Sequence, residues 1–192
     1  DYAAPLFCAG ITAYKAVKAA EPAKGKSVGI FGVGGVGHLS VEFAKLEGMR
    51  VIGVARNKIH LDVAKKVGAD NTLQFSEQEE FLFKLKKEEG LLDSAIVFAP
   101  SEKIVDLAIN SVKKGGTIVL GVLANIPNFD IFTEKTLRGT LIGSRTDMVD
   151  VVRIAEQNDF KIIHKTFPLE QANQILEDLK FSRIEARAVL TP

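Results

Sequence analysis

S-V-G-I-F-G-V-G-G-V-G at residues 27–37 is the stretch from which the fold can be predicted. Its first half is a short apolar run, and its second half carries Gly32, Gly34 and Gly37. Residues 36–45, which follow, have the apolar spacing of a helix. A strand, a glycine-rich turn and a helix in direct succession are the context in which G-x-G-x-x-G indicates dinucleotide binding. The stretch therefore predicts the first strand–turn–helix unit of a Rossmann-type domain.

Each glycine of this turn has a separate physical task. Gly32 allows the tight turn out of the strand, Gly34 lets the backbone approach a pyrophosphate, and Gly37 lets the helix lie close to the strand. Gly35 is a further point of close approach. Val36 begins the helical pattern, and the free N–H groups and dipole at a helix start favour an anion. The alternative, a glycine-rich turn that binds no nucleotide, is disfavoured because further strands and helices alternate after it.

Composition limits the class of protein. The chain has 192 residues, 46% of them hydrophobic and 26% charged, which suits one globular domain with part of a second. Its net charge of +1 and its lack of a Lys/Arg-rich run argue against nucleic acid or an anionic membrane as a partner. The longest apolar runs are strand-sized, no secretory signal is visible and one cysteine cannot form an internal disulfide, so we expect a cytoplasmic protein. Because Asp1 lies within an apolar, helix-like pattern, we interpret the chain as part of a longer polypeptide.

Strands and helices alternate through the middle of the chain, which predicts an α/β fold, a parallel sheet with helices on both faces. Six strands in a doubly wound Rossmann-type sheet have the order 3-2-1-4-5-6 and bind their ligand at the carboxyl ends of the strands. The pair Gly115-Gly116 predicts the turn into the fifth strand. The predicted strands are 27–31, 50–55, 73–75, 94–99, 117–122, 138–143 and 186–190, and the predicted helices include 2–19, 35–47, 58–67, 102–112, 147–157 and 169–180.

Several residues indicate where individual helices start and stop. Gly48 and Gly68 each follow a helical pattern, as is typical of the residue after a helix C-terminus. Ser76 and Glu79 have the spacing of a capping box at the start of the fourth helix. Ser101 is a candidate N-cap for the next helix.

The end of the second strand bears on the choice of dinucleotide. Domains that bind NAD commonly carry an acidic residue there, which hydrogen-bonds the ribose 2′-hydroxyl. Here the strand ends at Ala55 and continues with Arg56, and Lys58 and His60 add further positive charge. An arginine can pair with a 2′-phosphate through its planar fork of donors, so the sequence favours NADP over NAD. The alternative is that Arg56 stacks on the adenine and discriminates little.

Five stretches outside the glycine turn carry a further signal. They are A-P-L-F-C-A-G-I-T-A-Y at 4–14, F-A-K at 43–45, A-K-K-V-G-A-D at 64–70, L-R-G-T-L-I-G-S-R at 137–145 and A-R-A-V-L-T at 186–191. With the turn, they resemble the zinc-dependent medium-chain alcohol dehydrogenases from end to end of the chain. The resemblance implies the cofactor-binding half of such an enzyme. It comprises a lead-in helix from the catalytic domain at 1–19, the nucleotide-binding domain at 20–145 and a segment returning toward the catalytic domain at 146–192.

The resemblance also implies that Cys8 is the last ligand of a catalytic zinc ion. A thiolate suits Zn²⁺, and catalytic zinc sites combine three protein ligands with an open position. The other ligands would lie outside this chain, and zinc would act as a Lewis acid on the substrate oxygen. From the sequence pattern alone, the alternative is that Cys8 is a small buried hydrophobic residue.

Further residues take their expected roles from the resemblance. Thr12 would contact the nicotinamide, the backbone of Gly121 and Val122 would hydrogen-bond its carboxamide, and Ser144 would lie near the same end of the sheet. Arg187 would reach the pyrophosphate, with an ordinary exposed arginine as the alternative. Outside the resemblance, we expect His38 to pack within the first helical turn, and we assign no role to His164.

The function implied is a reversible hydride transfer between an alcohol or aldehyde and a nicotinamide cofactor. The resemblance further implies a homo-oligomer, a dimer or tetramer, joined through the edge of the sheet at the sixth strand. Two alternatives stay open. A zinc-free, quinone-reductase-like member of the same superfamily usually lacks a cysteine at the position of Cys8. A non-enzymatic nucleotide-sensing module would have no substrate domain in its full-length chain.

Overall fold

A six-stranded parallel sheet forms the centre of the computed structural model, which describes residues 1–126 and 129–192. The predicted strand order is confirmed, because the strands lie in the sequence β3-β2-β1-β4-β5-β6 with parallel neighbours throughout. The strands are β1 (Ser27–Phe31), β2 (Arg50–Ala55), β3 (Asn71–Gln74), β4 (Leu92–Val97), β5 (Val112–Leu120) and β6 (Thr136–Gly139).

Seven helices accompany the sheet in the described part of the chain. They are α1 (Ala9–Ala19), α2 (Gly37–Leu46), α3 (Lys58–Lys66), α4 (Gln78–Glu88), α5 (Glu102–Ser111), α6 (Arg145–Gln157) and α7 (Ala172–Lys180), with 3-10 turns at Ala4–Phe7, Ile131–Thr133 and Leu169–Gln171. None of the helices in these residues has both the length and the apolar character needed to cross a membrane.

The core has two layers because successive strand residues point to opposite faces of the sheet. In β1, for example, Val28 and Ile30 belong to one apolar cluster and Phe31 to the other. The first cluster also takes residues from α1, α2, α3 and α6, and the second takes residues from α4 and α5. Helices therefore cover both faces, and the predicted doubly wound α/β fold is confirmed.

A small second sheet was not predicted as such. It pairs β7 (His164–Pro168) in parallel with β8 (Arg187–Thr191), and only the second of these strands was expected from the sequence. β7 was missed because most of its residues are exposed or half-buried and show no apolar alternation. Phe160 and Ile162, just before β7, are buried in the first core cluster, and the Phe160 ring packs on Phe43 of α2.

Several predicted boundaries are corrected by the structure. The fourth helix has Glu77 at its N-cap and no capping box, because the Ser76 hydroxyl instead donates to Glu80 Oε2 at 3.0 Å. Ser101 does occupy an N-cap position, but its side chain makes no capping hydrogen bond. The predicted long first helix is interrupted at Cys8, whose ψ of −61° accompanies an extended φ of −126°.

The later strands are also displaced from their predicted positions. Gly115 and Gly116 lie within β5 and not in a turn before it, at an irregularity where the register with β4 shifts. β4 begins and ends two residues earlier than predicted, and β6 occupies 136–139 where 138–143 was expected. β6 ends at Gly139, and Ile142 in the loop before α6 has a left-handed φ of 48°, which is not compatible with a continued strand at that position.

Candidate functional site

The glycine turn between β1 and α2 is closed on its inner side. Gly32 has a φ of +100°, and a Cβ placed on it would lie 2.8 Å from the Ala99 amide nitrogen. A Cβ on Gly37 would lie 2.1 Å from the Gly32 carbonyl oxygen. Both positions therefore require glycine, and the predicted tight turn and close helix approach are confirmed.

The outer side of the same turn is open. A Cβ on Gly34 would meet no described atom within 4 Å. Among the hydrogen bonds of residues 1–126 and 129–192, none has the N–H of Gly34, Gly35, Val36 or Gly37 as its donor. Val36 is the N-cap residue of α2 and has no capping side chain. Unused N–H groups at a helix start, beside free space, are suited to binding an anion.

Arg187, the first residue of β8, lies against this turn. A Cβ on Gly35 would be 2.8 Å from Arg187 Cδ and 3.1 Å from Arg187 Nη1. Its guanidinium makes no ion pair or hydrogen bond with any residue in the described ranges, and its Nε atom is buried without a partner. A cation held beside four unused N–H groups fits a phosphate-bearing ligand, because the anion would supply the missing acceptors.

The end of β2 lies next to the glycine turn. Phe31 pairs with Val54, and the Gly32 N–H donates to the Val54 carbonyl at 2.9 Å. Ala55 is buried, whereas Arg56 and Lys58 are exposed. The first turn of α3 contains no acidic residue. The positively charged side chains predicted from the sequence therefore lie exposed just after the carboxyl end of β2.

The carboxyl end of β5 is closely packed. The Gly121 N–H donates to the Val97 carbonyl at 2.9 Å, and a Cβ on Gly121 would lie 2.7 Å from the Phe98 ring. Val122 is half-buried against the second core cluster. The backbone at this strand end is held in place by main-chain bonding, and glycine allows an aromatic ring to lie directly beside it.

Ser144 has a structural role that the sequence pattern did not indicate. Its hydroxyl accepts from the Asp147 N–H at 3.1 Å, and the Ser144 N–H donates to Asp147 Oδ2 at 2.8 Å, which completes a capping box for α6. This backbone hydrogen bond, with the nearby Lys15, lowers the pKa of Asp147. Nearby, a Cβ on Gly143 would lie 2.5 Å from Ile11 Cγ1, so the loop before α6 packs on α1.

The first turn of α1 carries Cys8 and Thr12. Cys8 is exposed and sits at the N-cap position, so the alternative of a buried hydrophobic residue is wrong. The Thr12 hydroxyl donates to the Cys8 carbonyl at 2.7 Å. No group of three His, Cys, Asp or Glu residues that could hold a metal occurs in the described part of the chain. The residues present do not make a zinc site, since they offer one thiol where three protein ligands are needed.

Sequence comparisons give a consistent picture. A model of the zinc-binding dehydrogenase family matches residues 35–157. An alcohol dehydrogenase from Geobacillus stearothermophilus is 33% identical over 97% of this chain and 56% of its own length. Another, from Moraxella sp. (strain TAE123), is 34% identical over 97% of this chain and 56% of its own length. The chain thus spans a little over half the length of these curated relatives.

Solved structures with the same fold include two related enzymes. The alcohol dehydrogenase from the archaeon Aeropyrum pernix superposes with a TM-score of 0.89 at 28% identity, over 99% of this chain and 57% of that chain. Acetophenone reductase from Geotrichum candidum, solved in complex with NAD, has a TM-score of 0.85 at 26% identity, over 99% of this chain and 55% of that chain.

Proposed function

The chain belongs to the zinc-binding dehydrogenase family, as the cofactor-binding half of a medium-chain alcohol dehydrogenase, and on this premise we propose that it binds a nicotinamide dinucleotide at the glycine turn. The observation that carries the proposal is the open face at Gly34, with the unpaired Arg187 guanidinium beside it. When bound, the cofactor supplies a nicotinamide ring that exchanges hydride with an alcohol or aldehyde. The chain's own residues bind and orient it.

The pyrophosphate is proposed to lie between the start of α2 and Arg187. The N–H groups of Gly34 to Gly37 would donate to its oxygens, helped by the positive end of the helix dipole. Arg187 would add a charge-assisted hydrogen bond, which is stronger than a bond between neutral groups. A larger residue at position 34 would place its side chain in the open space through which the phosphates approach the backbone.

The nicotinamide end of the cofactor is proposed to lie over the carboxyl ends of β5 and β6. Backbone groups of Gly121 and Val122 would hydrogen-bond the carboxamide, and Thr12 would contact the ring. Ser144 is proposed only to lie near this end of the sheet, because its hydroxyl and N–H both bond Asp147 and its carbonyl accepts from the Met148 N–H.

We propose that NADP is bound in preference to NAD. Ala55 leaves no carboxylate at the end of β2, and Arg56 and Lys58 are exposed there with no ion pair to another described residue. A 2′-phosphate placed near these side chains would be held by Arg56 through two parallel hydrogen bonds. NAD is the second candidate, because a small side chain at position 55 also leaves room for a free ribose hydroxyl.

Calorimetric titration of the full-length protein with NADPH, and separately with NADH, tests both parts of this proposal. We expect NADPH to bind at least about tenfold more tightly, a difference of about 1.4 kcal/mol. Arg56→Ala should remove that preference. Lys84→Ala is the matched control, because it removes an exposed positive charge, with no ion pair to another described residue, from α4. Equal affinities would refute the 2′-phosphate contact, and a lack of binding to either dinucleotide would refute the cofactor site itself.

Cys8 is proposed as one thiolate ligand of a zinc ion in the full-length protein, with its other ligands outside the described residues. Its exposure at the start of α1 supports the proposal, because a buried thiol could not meet ligands from elsewhere. Elemental analysis of purified Cys8→Ser protein should show loss of zinc, while Ser76→Ala, at an exposed site on another element, should keep it. Unchanged zinc content in the Cys8 variant would contradict the assignment.

We propose the division of the chain into segments 1–19, 20–145 and 146–192, and a cytoplasmic location.

The edge strand β6 supports the proposed homo-oligomer. β6 pairs with β5 on one side only, and exposed apolar side chains lie near it, among them Phe132 and Leu141. An unpaired strand edge is prone to pairing with another chain. Light scattering of the full-length protein would contradict the proposal if it gave the mass of a monomer.

A further inference from the structure

His38 connects the glycine turn to the segment before β7. The residue is fully buried at the start of α2, with its Nδ1 atom 2.9 Å from the Gly34 carbonyl oxygen. Its Nε2 atom lies 3.3 Å from the Ile163 amide nitrogen, which can only donate. Nε2 must therefore accept, and Nδ1 must carry the proton that it donates to Gly34. The two partners fix one neutral tautomer.

The contacts continue from Ile163 back to the turn. The Arg187 N–H donates to the Ile163 carbonyl at 3.2 Å, and His164 pairs with Arg187 in the β7–β8 register. The Arg187 side chain then lies against Gly35, where a Cβ would be 2.8 Å from its Cδ atom. Gly34, His38, Ile163 and Arg187 thus form a closed set of contacts that begins and ends at the glycine turn.

We propose that His38 is a positioning residue for Arg187, holding the β7–β8 pair against the glycine turn so that the guanidinium stays beside Gly35. The inference rests on the proposed cofactor binding, and it adds a residue that touches no ligand itself. Because Arg187 is on a two-stranded sheet outside the main one, its position depends on such cross-connections.

The charge state of His38 is consistent with this task. Burial lowers its pKa to about 4, although the hydrogen bond to the Gly34 carbonyl acts the other way; the positive charge of Arg187 on β8 and the His164 imidazole on β7 lower it further. The imidazole is therefore neutral near pH 7 and can accept from Ile163. A protonated ring would offer a second donor to that N–H and a second cation to Arg187, and both changes would separate the β7–β8 pair from the turn.

A double-mutant cycle on the full-length protein tests the proposal, with calorimetric affinity for whichever of NADPH and NADH binds more tightly as the readout. The variants are His38→Leu, Arg187→Ala and the two combined. We expect His38→Leu to weaken binding about tenfold when Arg187 is present and less than about twofold when it is replaced, because coupled residues are not additive. His38→Gln, which keeps one donor and one acceptor, should recover part of the loss.

A second readout does not depend on a ligand. Hydrogen exchange at the Ile163 and Arg187 amides should accelerate in His38→Leu relative to other amides of the first core cluster. Val41→Ala is the matched control, because Val41 is buried on the same helix and makes no polar side-chain contact. It should lower stability without this selective change.

The outcomes separate the two proposals. Equal losses from His38→Leu with and without Arg187, or equal exchange in the two α2 variants, would overturn the positioning role and leave the cofactor site intact. Wild-type protein that binds neither dinucleotide would overturn the proposed function and this inference with it. A coupled loss together with selective exchange would establish the role.

Discussion

Two neighbouring strand–turn–helix units, β1–α2 and β4–α5, differ sharply at the same edge of the sheet. Their turns are in contact, since Gly32 packs against Ala99. The β1–α2 turn leaves the N–H groups of four consecutive residues, 34–37, without a described acceptor. In the other turn the N–H groups of Ala99 and Ser101 donate to the Phe31 and Ala99 carbonyls, and those of Glu102 and Lys103 are left without a described acceptor. The two units share a topology, but an anion-binding surface is expected only at the β1–α2 turn, where glycines leave the backbone accessible and its N–H groups have no described acceptor.

The two helices differ in burial as well. α2 buries every residue from Gly37 to Ala44, including the ionisable His38 and Glu42, while α5 buries apolar residues and Ser111. The cause is that α2 is covered by α1 and by the segment around Phe160, whose ring lies 4.6 Å from that of Phe43. The helix at the glycine turn is therefore in contact with other elements on several sides, whereas α5 packs on the sheet through one apolar face.

The largest expected loss of stability is at Gly37, where an added Cβ would come closest to a backbone atom. Gly37→Ala would place a Cβ 2.1 Å from the Gly32 carbonyl oxygen, so α2 would have to move away from β1. We expect a loss of at least about 3 kcal/mol in the free energy of unfolding, at the upper end for overpacking. Urea denaturation measures it. Asn110→Ala, on α5, should cost far less because its side chain is exposed and bonds only within its own helix. Equal losses would remove the contrast between the units.

The second prediction uses the buried carboxyl of α2. Burial raises the pKa of Glu42 from 4.5 to about 7, although the Lys161 N–H and the Lys161 charge act the other way. Between those pH values the native protein keeps a proton that the unfolded chain releases, so stability falls as pH rises through this window. The Glu42→Gln variant has no carboxyl at this position and therefore should not lose stability in this way as the pH rises. Its stability relative to the parent should rise between pH 4.5 and 7, by up to about 3 kcal/mol.

Urea denaturation at a series of pH values measures this difference, and Glu47→Gln is its control. Glu47 follows α2 and is exposed, so its replacement should give a difference that changes little with pH. The contribution of His38 has the opposite slope, being complete above about pH 6.5 and lost toward pH 4, but it is common to all three proteins and cancels. A pH-independent difference for Glu42→Gln would show that the carboxyl is solvated.

The smallest expected effect compares two helix starts. Ser144 completes a capping box on α6, whereas Ser101 of the β4–α5 turn makes no capping bond. Ser144→Ala should cost about 1 kcal/mol in the free energy of unfolding. Ser101→Ala should change it by less than about 0.5 kcal/mol. Thermal denaturation of the two variants side by side checks the order, and a greater loss at Ser101 would show that its turn is held by the serine after all.

Local patterns predicted the first of the two units well. The glycine spacing gave the turn, and Gly48 and Gly68 do follow their helices with φ values of +73° and +92°. The β4–α5 unit was predicted in outline, with its strand displaced by two residues. The capping box at Ser76 failed because a hydroxyl has several acceptors within reach, and local spacing does not choose among them.

For the candidate site, residue types and spacing were enough to place Gly32, Gly34 and Gly37, and the cations after β2. Arg187 was named only through a family resemblance. Its contact with Gly35 and the link through His38 lie between segments far apart in the sequence, for which no local pattern exists. His38 was expected merely to pack, since a single buried histidine carries no signal of its hydrogen-bond partners.

The alternation of strands and helices and the glycine turn could be predicted because apolar periodicity and backbone freedom are properties of neighbouring residues, and the strand order then followed from the doubly wound topology. The pairing of β7 with β8, the burial of Glu42 and the placement of Arg187 over the turn are set by tertiary contacts. These depend on which surfaces meet after the chain has folded. Burial and long-range hydrogen bonds then set the protonation of His38 and Glu42, which no local pattern in the sequence encodes.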